Sequence, residues 1–253
     1  MYPCKYEYHN GIFRQYIDNK RIGMKVHHCC SQRRPPMLTP SPLLHTQLRR
    51  AGVAYVVIIL AGMSSEMMFR AAALSSGEMS QTVSALRAST LLDCVMIGAD
   101  IYVALTFYAV FRAVDPQKAL FATVLRLMQG AVIAGSLMLQ LCAIHAPDQA
   151  AWLMAAQADG YDLGLLFFAL NTALMAQLLC HSGLLSPMTK RVLPPLLMTS
   201  ALIYGVNSTL ALLGSNFAEI LAPSYAIPLV SESAFALWLL IAQPRRFETP
   251  PQS

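Results

Sequence analysis

Apolar residues in this chain gather into six long runs separated by short polar stretches: Ala51–Met68, Thr90–Phe111, Ala119–His145, Asp159–Ser182, Val192–Gly214 and Ala222–Ala242. The runs are continuous, unlike the roughly ten-residue alternating strands of an outer-membrane barrel. A helix rises about 1.5 Å per residue and the hydrocarbon core is about 30 Å thick, so about 20 residues cross it. Thr90–Phe111 has 22 residues and Val192–Gly214 has 23. Lipid offers the backbone no hydrogen bonds, and a helix satisfies its own within one segment. The pattern therefore predicts an all-α integral membrane bundle of six transmembrane helices with short loops, whose principal partner is the lipid bilayer.

Composition agrees with that solvent. Hydrophobic residues make up 56% of the chain, charged residues 12%, and the mean hydropathy is +0.49; soluble domains carry roughly 25% charged residues. The charges are also sorted. Nine of the 18 Lys and Arg precede the first run, Arg112 and Lys118 flank the link between runs two and three, Lys190 and Arg191 lie between four and five, and Arg245 and Arg246 follow six. Only Arg70 and Arg87 fall on the other side. The positive-inside rule then puts both termini in the cytoplasm, with the protein in the plasma membrane. A net charge of +5 is read as topology, not as nucleic-acid binding, because the basic residues are not gathered on a soluble domain. The expected organisation is a polar basic cytoplasmic tail over residues 1–47, a transmembrane domain over 48–246 and a short tail over 247–253.

The leading stretch holds His27-His28-Cys29-Cys30, yet zinc ligands are usually spaced by two to four residues and no C-x-x-C occurs, so no metal and no cofactor is expected. A composition break at Met37 makes that residue a candidate start of translation. The first run reads as an uncleaved helix, because Glu66 and Arg70 sit badly before a signal-peptide cleavage site. Met79, Val83 and Leu86 recur at helical spacing between runs one and two, which predicts a short amphipathic helix lying on the outer face. Cys94, Cys142 and Cys180 are expected to be packing residues, and Trp152 and Trp238 to join the interfacial aromatic belt.

Candidate chemistry lies in polar residues at membrane depth, where an ionisable side chain needs a partner or a cavity. Asp100 and Glu232 stand near the middle of runs two and six, and Arg126 about two turns into run three. Their depths differ by three or four residues, about 5–6 Å, within reach of an arginine. This predicts a buried cluster of Arg126 with Asp100, Glu232 or both. Gln129 and Gln140 share the Arg126 face, and Asp93 shares that of Asp100. Tyr204 and Asn207 form a weaker stripe on run five, Glu66 and Arg70 are spaced to pair at one span end, and Pro228 is expected to kink run six. Gly130…Ala134 and Ala131…Gly135 are small-residue faces suited to homo-oligomerisation through the third span. No catalytic motif occurs, so the chain reads as a non-catalytic membrane component. The alternative is a small-solute or proton transporter using Asp100, Arg126 and Glu232.

Several stretches in order resemble the bacterial family catalogued as domain of unknown function 4386. They are Asp115-Pro116 leading to Leu125-Arg126-Leu127-Met128-Gln129, then Gly160-Tyr161-Asp162-Leu163-Gly164, Leu178-Leu179-Cys180-His181-Ser182-Gly183, and Pro228 and Glu232 ahead of Phe235-Ala236-Leu237-Trp238. The resemblance covers roughly Leu48 to Ala242 and implies a multi-pass membrane protein with no established activity. Ser186 ahead of Pro187 departs from the family pattern, and the leading tail lies outside it.

Overall fold

The computed structural model describes residues 42–75 and 79–241, and within them each of the six apolar runs lies mainly in helix. The first crossing is α1 (Pro42–Met63), carried on by a π-helical stretch (Ser64–Arg70) into α2 (Ala71–Ser75). The others are α3 (Met79–Phe111), α4 (Pro116–His145), α5 (Ala150–His181), α6 (Pro187–Leu212) and, after α7 (Phe217–Leu221) and a 3₁₀ turn (Ala222–Tyr225), α8 (Ala226–Ile241). Among the described residues, six helices are long and apolar enough to cross a membrane. No strand occurs among the described residues.

The helices pack in a closed ring. Each crossing lies against the next in sequence, and α8 returns to α1. Small residues mark the tightest seams. A Cβ on Gly160 would meet Ser136 Cβ at 2.5 Å, and one on Gly164 would meet Ile133 Cγ1 at 2.7 Å, so α5 and α4 approach closely there. Gly52 does the same for α1 and α8, where an added Cβ would lie 3.0 Å from Leu239 Cβ. Gly160→Ala is expected to cost about 1–3 kcal/mol by overpacking, read as a lowered Tm in detergent.

The helices are longer than the apolar runs. Pro42–Gln47, expected in the tail, is already helical, because Leu44 and Leu48 are buried in the core. Met79–Leu86 is not a separate surface helix: α3 runs unbroken through it, and no Gly or Pro intervenes before Gly98. Likewise α5 starts at Ala150, inside the expected link, and extends for 32 residues, about 48 Å. The His27–Cys30 run, Arg245 and Arg246 lie outside the described residues.

Caps explain the turns at the basic end. Asp115 caps α4, accepting from the Lys118 backbone N–H at 3.0 Å with Pro116 in the first turn. That hydrogen bond holds its carboxyl below the usual carboxylate range. Because the folded-state value is depressed, the contribution is present at neutral pH and fades as pH falls through the carboxylate range. Asp115→Ala is expected to cost about 1 kcal/mol, visible in thermal melts at pH 7 and smaller at pH 4. Ser186, the departure from the family pattern, caps α6 by accepting from the Thr189 N–H at 3.1 Å, with Pro187 behind it. Gly183, at φ 71°, turns the chain between α5 and α6.

Pro228 does not kink a span. It stands in the first turn of α8, where no intrahelical donor is required. Cys94 and Cys142 are free and face outward instead of packing inside.

Candidate functional site

All six crossings send side chains into the ring, and these sort into layers. Toward the basic end the interior is filled by aromatic rings: Phe107, Phe111, Phe235 and Trp238, with Tyr55 edge-on to Phe235 at 5.3 Å between centroids. Above this plug sits Arg126. Its Nε donates to Asp100 Oδ1 at 2.8 Å and its Nη2 lies 2.6 Å from the same oxygen. The guanidinium is also covered by the rings of Tyr55 and Phe168, whose centroids lie 5.0 and 5.3 Å from Cζ. Both charges are 2% exposed. Paired on one side and sandwiched by aromatic faces, Arg126 is tied into α1, α3 and α5 at once.

Of the two carboxylates expected within reach of Arg126, the structure pairs it with one. Asp100 takes Arg126, but no ion pair joins Arg126 to Glu232. Glu232 on α8 instead accepts from the Tyr204 hydroxyl of α6 at 2.5 Å, a length typical of a phenol on a carboxylate. Tyr204 in turn stacks edge-on to Phe168 and near Tyr225, with centroids 5.3 and 5.8 Å apart.

A second buried cluster lies toward the other end. Arg70, assigned by spacing to a pair with Glu66, does pair with Glu66. However, it is 5% exposed and also reaches Asp93 Oδ2 through Nη2 at 2.7 Å and Gln140 Oε1 through Nε at 3.1 Å. Gln140 spends its amide on Leu86 O and Thr90 Oγ1. Asp93 and Gln140 thus belong to Arg70, not to the Asp100–Arg126 layer. The π-helical stretch makes this possible. The Ala71 N–H reaches back five residues to Glu66 O, so positions five apart stack on one face. Ser65 and Arg70 are five apart and both point at α3, where the Ser65 hydroxyl meets Ser89 Oγ at 2.8 Å.

Between the two clusters lies a cavity of about 500 Å³, lined from all six crossings. Its wall is mostly apolar, with Ile58, Met96, Leu165 and Phe168 among its residues, and its polar members include Asp100, Gln129, Tyr161, Tyr204 and Glu232. Two buried wall atoms have no hydrogen-bond partner: Asp100 Oδ2 and Gln129 Oε1. Met63 and Met67 from the first crossing and Ala226 and Leu229 from α8 line the cavity and are exposed. The cavity therefore opens sideways between α1 and α8, on the half where Gly52 no longer holds them together.

The sequence profile of the family described as a domain of unknown function, DUF4386, matches residues 50–242. The chain belongs to that family. The DUF4386 region contains every residue of the cavity wall and both buried ion-pair clusters. No curated protein and no solved structure matches the chain. The DUF4386 domain here is thus a multi-pass membrane protein with a polar-floored cavity at membrane depth.

Of the other expected residues, Asn207 is buried and donates to Ser224 Oγ at 2.9 Å, tying α6 to the 3₁₀ turn before α8. Gly130 is buried against Ile97, while Ala131, Ala134 and Gly135 face outward. Residues not singled out in advance are Tyr55, Tyr161 and Asn171. The last donates to Ala122 O at 2.6 Å and joins α5 to α4. An amide in the middle of an apolar run was the available signal for Asn171. The two tyrosines carry none, being ordinary in membrane helices.

Proposed function

We propose that this DUF4386 protein is a non-catalytic plasma-membrane protein that admits a small solute into its intramembrane cavity, as a carrier or permease. The observation that supports it is the cavity itself: about 500 Å³ at membrane depth, walled by every crossing. Side chains that only specify helix packing would leave no such space. In this reading Arg126 and Asp100 form the structural floor, and Glu232 with Tyr204 forms the contact for the solute. Both termini lie in the cytoplasm, so the mouth between α1 and α8 belongs to the outer half of the membrane. The outward-facing Ala131…Gly135 pair on α4 is the surface for self-association.

Solutes that raise the Tm of the detergent-purified protein are expected to lose their effect in Leu165→Trp, which fills the cavity. The same solutes should enter proteoliposomes of the wild type faster than those of Glu232→Gln. Uptake indifferent to both substitutions would remove the reading. Reporter fusions at the two ends test orientation separately.

A further inference from the structure

The chemistry of the cavity wall specifies what kind of solute fits. Its unpartnered buried polar atoms, Asp100 Oδ2 and Gln129 Oε1, are both hydrogen-bond acceptors. The unpartnered donor beside them, Arg126 Nη2, is ion-paired with Asp100 Oδ1 and is not part of the cavity wall, and a buried acceptor left unpaired is costly. Glu232 adds a carboxylate that, among the described residues, is bonded by Tyr204 alone and has no cation paired to it.

The charges on and behind the wall add up in the same direction. The π-helical stretch contributes Glu66 and Arg70, α3 contributes Asp93 and Asp100, α4 contributes Arg126, and α8 contributes Glu232. Arg70 is engaged by Glu66 and Asp93, and Arg126 by Asp100. Four carboxyl groups thus face two guanidiniums, so the formal excess is of acidic groups. The rest of the wall is aliphatic and aromatic. Phe168, Tyr204 and Tyr225 form a continuous run of rings from α5 through α6 to the 3₁₀ turn before α8, beside Glu232. Ring faces attract cations.

We infer that the cavity binds a protonated amine with a compact apolar body, its ammonium among Glu232, Asp100 Oδ2 and Gln129 Oε1 and its body against the aliphatic and aromatic wall. An ammonium supplies donors to the unpartnered acceptors and a positive charge to the carboxylates. The apolar body matches the mouth, whose exposed methionines and leucine open toward lipid-facing surface rather than water. The inference rests on the small-solute reading above and names its ligand class.

The test compares two probes of one shape, 1-aminoadamantane and 1-adamantanol. The first is a cation at neutral pH and the second is uncharged. Each is measured against the full-length protein in detergent by equilibrium dialysis, with matched empty micelles subtracted. The amine is expected to bind at least about tenfold more tightly than the alcohol, and Glu232→Gln to bring the two together. Leu229→Trp, at the mouth, should weaken both. Equal affinity for the two probes in the wild type overturns the amine assignment while leaving the small-solute reading in place. Persistence of the amine preference in a folded Glu232→Gln also overturns it. Absence of binding by either probe overturns the assignment together with the reading it rests on. The wild-type ratio decides the matter even where a variant fails to fold.

Discussion

Replacing Arg126 by glutamine is expected to cost about 3–5 kcal/mol, the usual penalty for stranding one partner of a buried ion pair. Asp100 is 2% exposed and takes both contacts from Arg126 through Oδ1, so the substitution leaves a carboxylate in an apolar interior without its cation. The guanidinium also fills the space between the Tyr55 and Phe168 rings, which glutamine does not. The expected readout is a large fall in Tm and in the monodisperse fraction on detergent gel filtration. The double variant Asp100→Asn/Arg126→Gln should recover more than half of the loss, because no unpaired charge remains. Additive losses in the double variant would show that the pair is not coupled and would remove its role as the floor of the cavity.

The second large effect is expected at Arg70. Arg70→Gln strands Asp93, which is 1% exposed, and at the same time releases Glu66 and the ring of Tyr161, over which the guanidinium sits at 5.9 Å. The stability cost should again be about 3–5 kcal/mol, with Asp93→Asn/Arg70→Gln recovering part of it. Arg70 differs from Arg126 in a second respect. Glu66 and Tyr161 line the cavity, so the double variant, though refolded, should still bind solutes more weakly than wild type. Full recovery of both stability and binding would reduce Arg70 to a packing device.

The two arginines show how far sequence carried the site. Arg126 stood out because a guanidinium inside an apolar run has to be explained, and depth arithmetic pointed to Asp100 and Glu232 alike. Depth is one coordinate, however, and the azimuth around each helix decides the partner. Helix α8 turns Glu232 toward Tyr204 on its neighbour α6, so the nearer carboxylate in angle, Asp100, takes the charge alone. Arg70 was paired with Glu66 by spacing, but its burial was missed for a different reason. The first apolar run breaks off at Met68, and a π-helical stretch has no signature in hydrophobic periodicity, so nothing signalled that residue 70 turned inward. The number of crossings and their order were legible because lipid forces long uninterrupted apolar segments. Their lengths were not. The polar turns Pro42–Gln47, Met79–Ser89 and Ala150–Ala158 stay helical by packing on neighbouring helices, information that exists only once the ring is assembled. The cavity was illegible altogether, being a space and not a residue.

The closure of the ring has a mechanical consequence. Five of its six seams join helices that are consecutive in the chain, and a linker limits how far each can part. The seam between α8 and α1 has no linker, because those helices come from opposite ends of the fold. It behaves like the gap in a key ring, spreading by giving up side-chain contacts such as the edge-on Tyr55–Phe235 rings while the remaining joints stay fastened. A guest arriving from the bilayer would therefore be let in by a small elastic parting at that gap, with the bundle springing shut behind it.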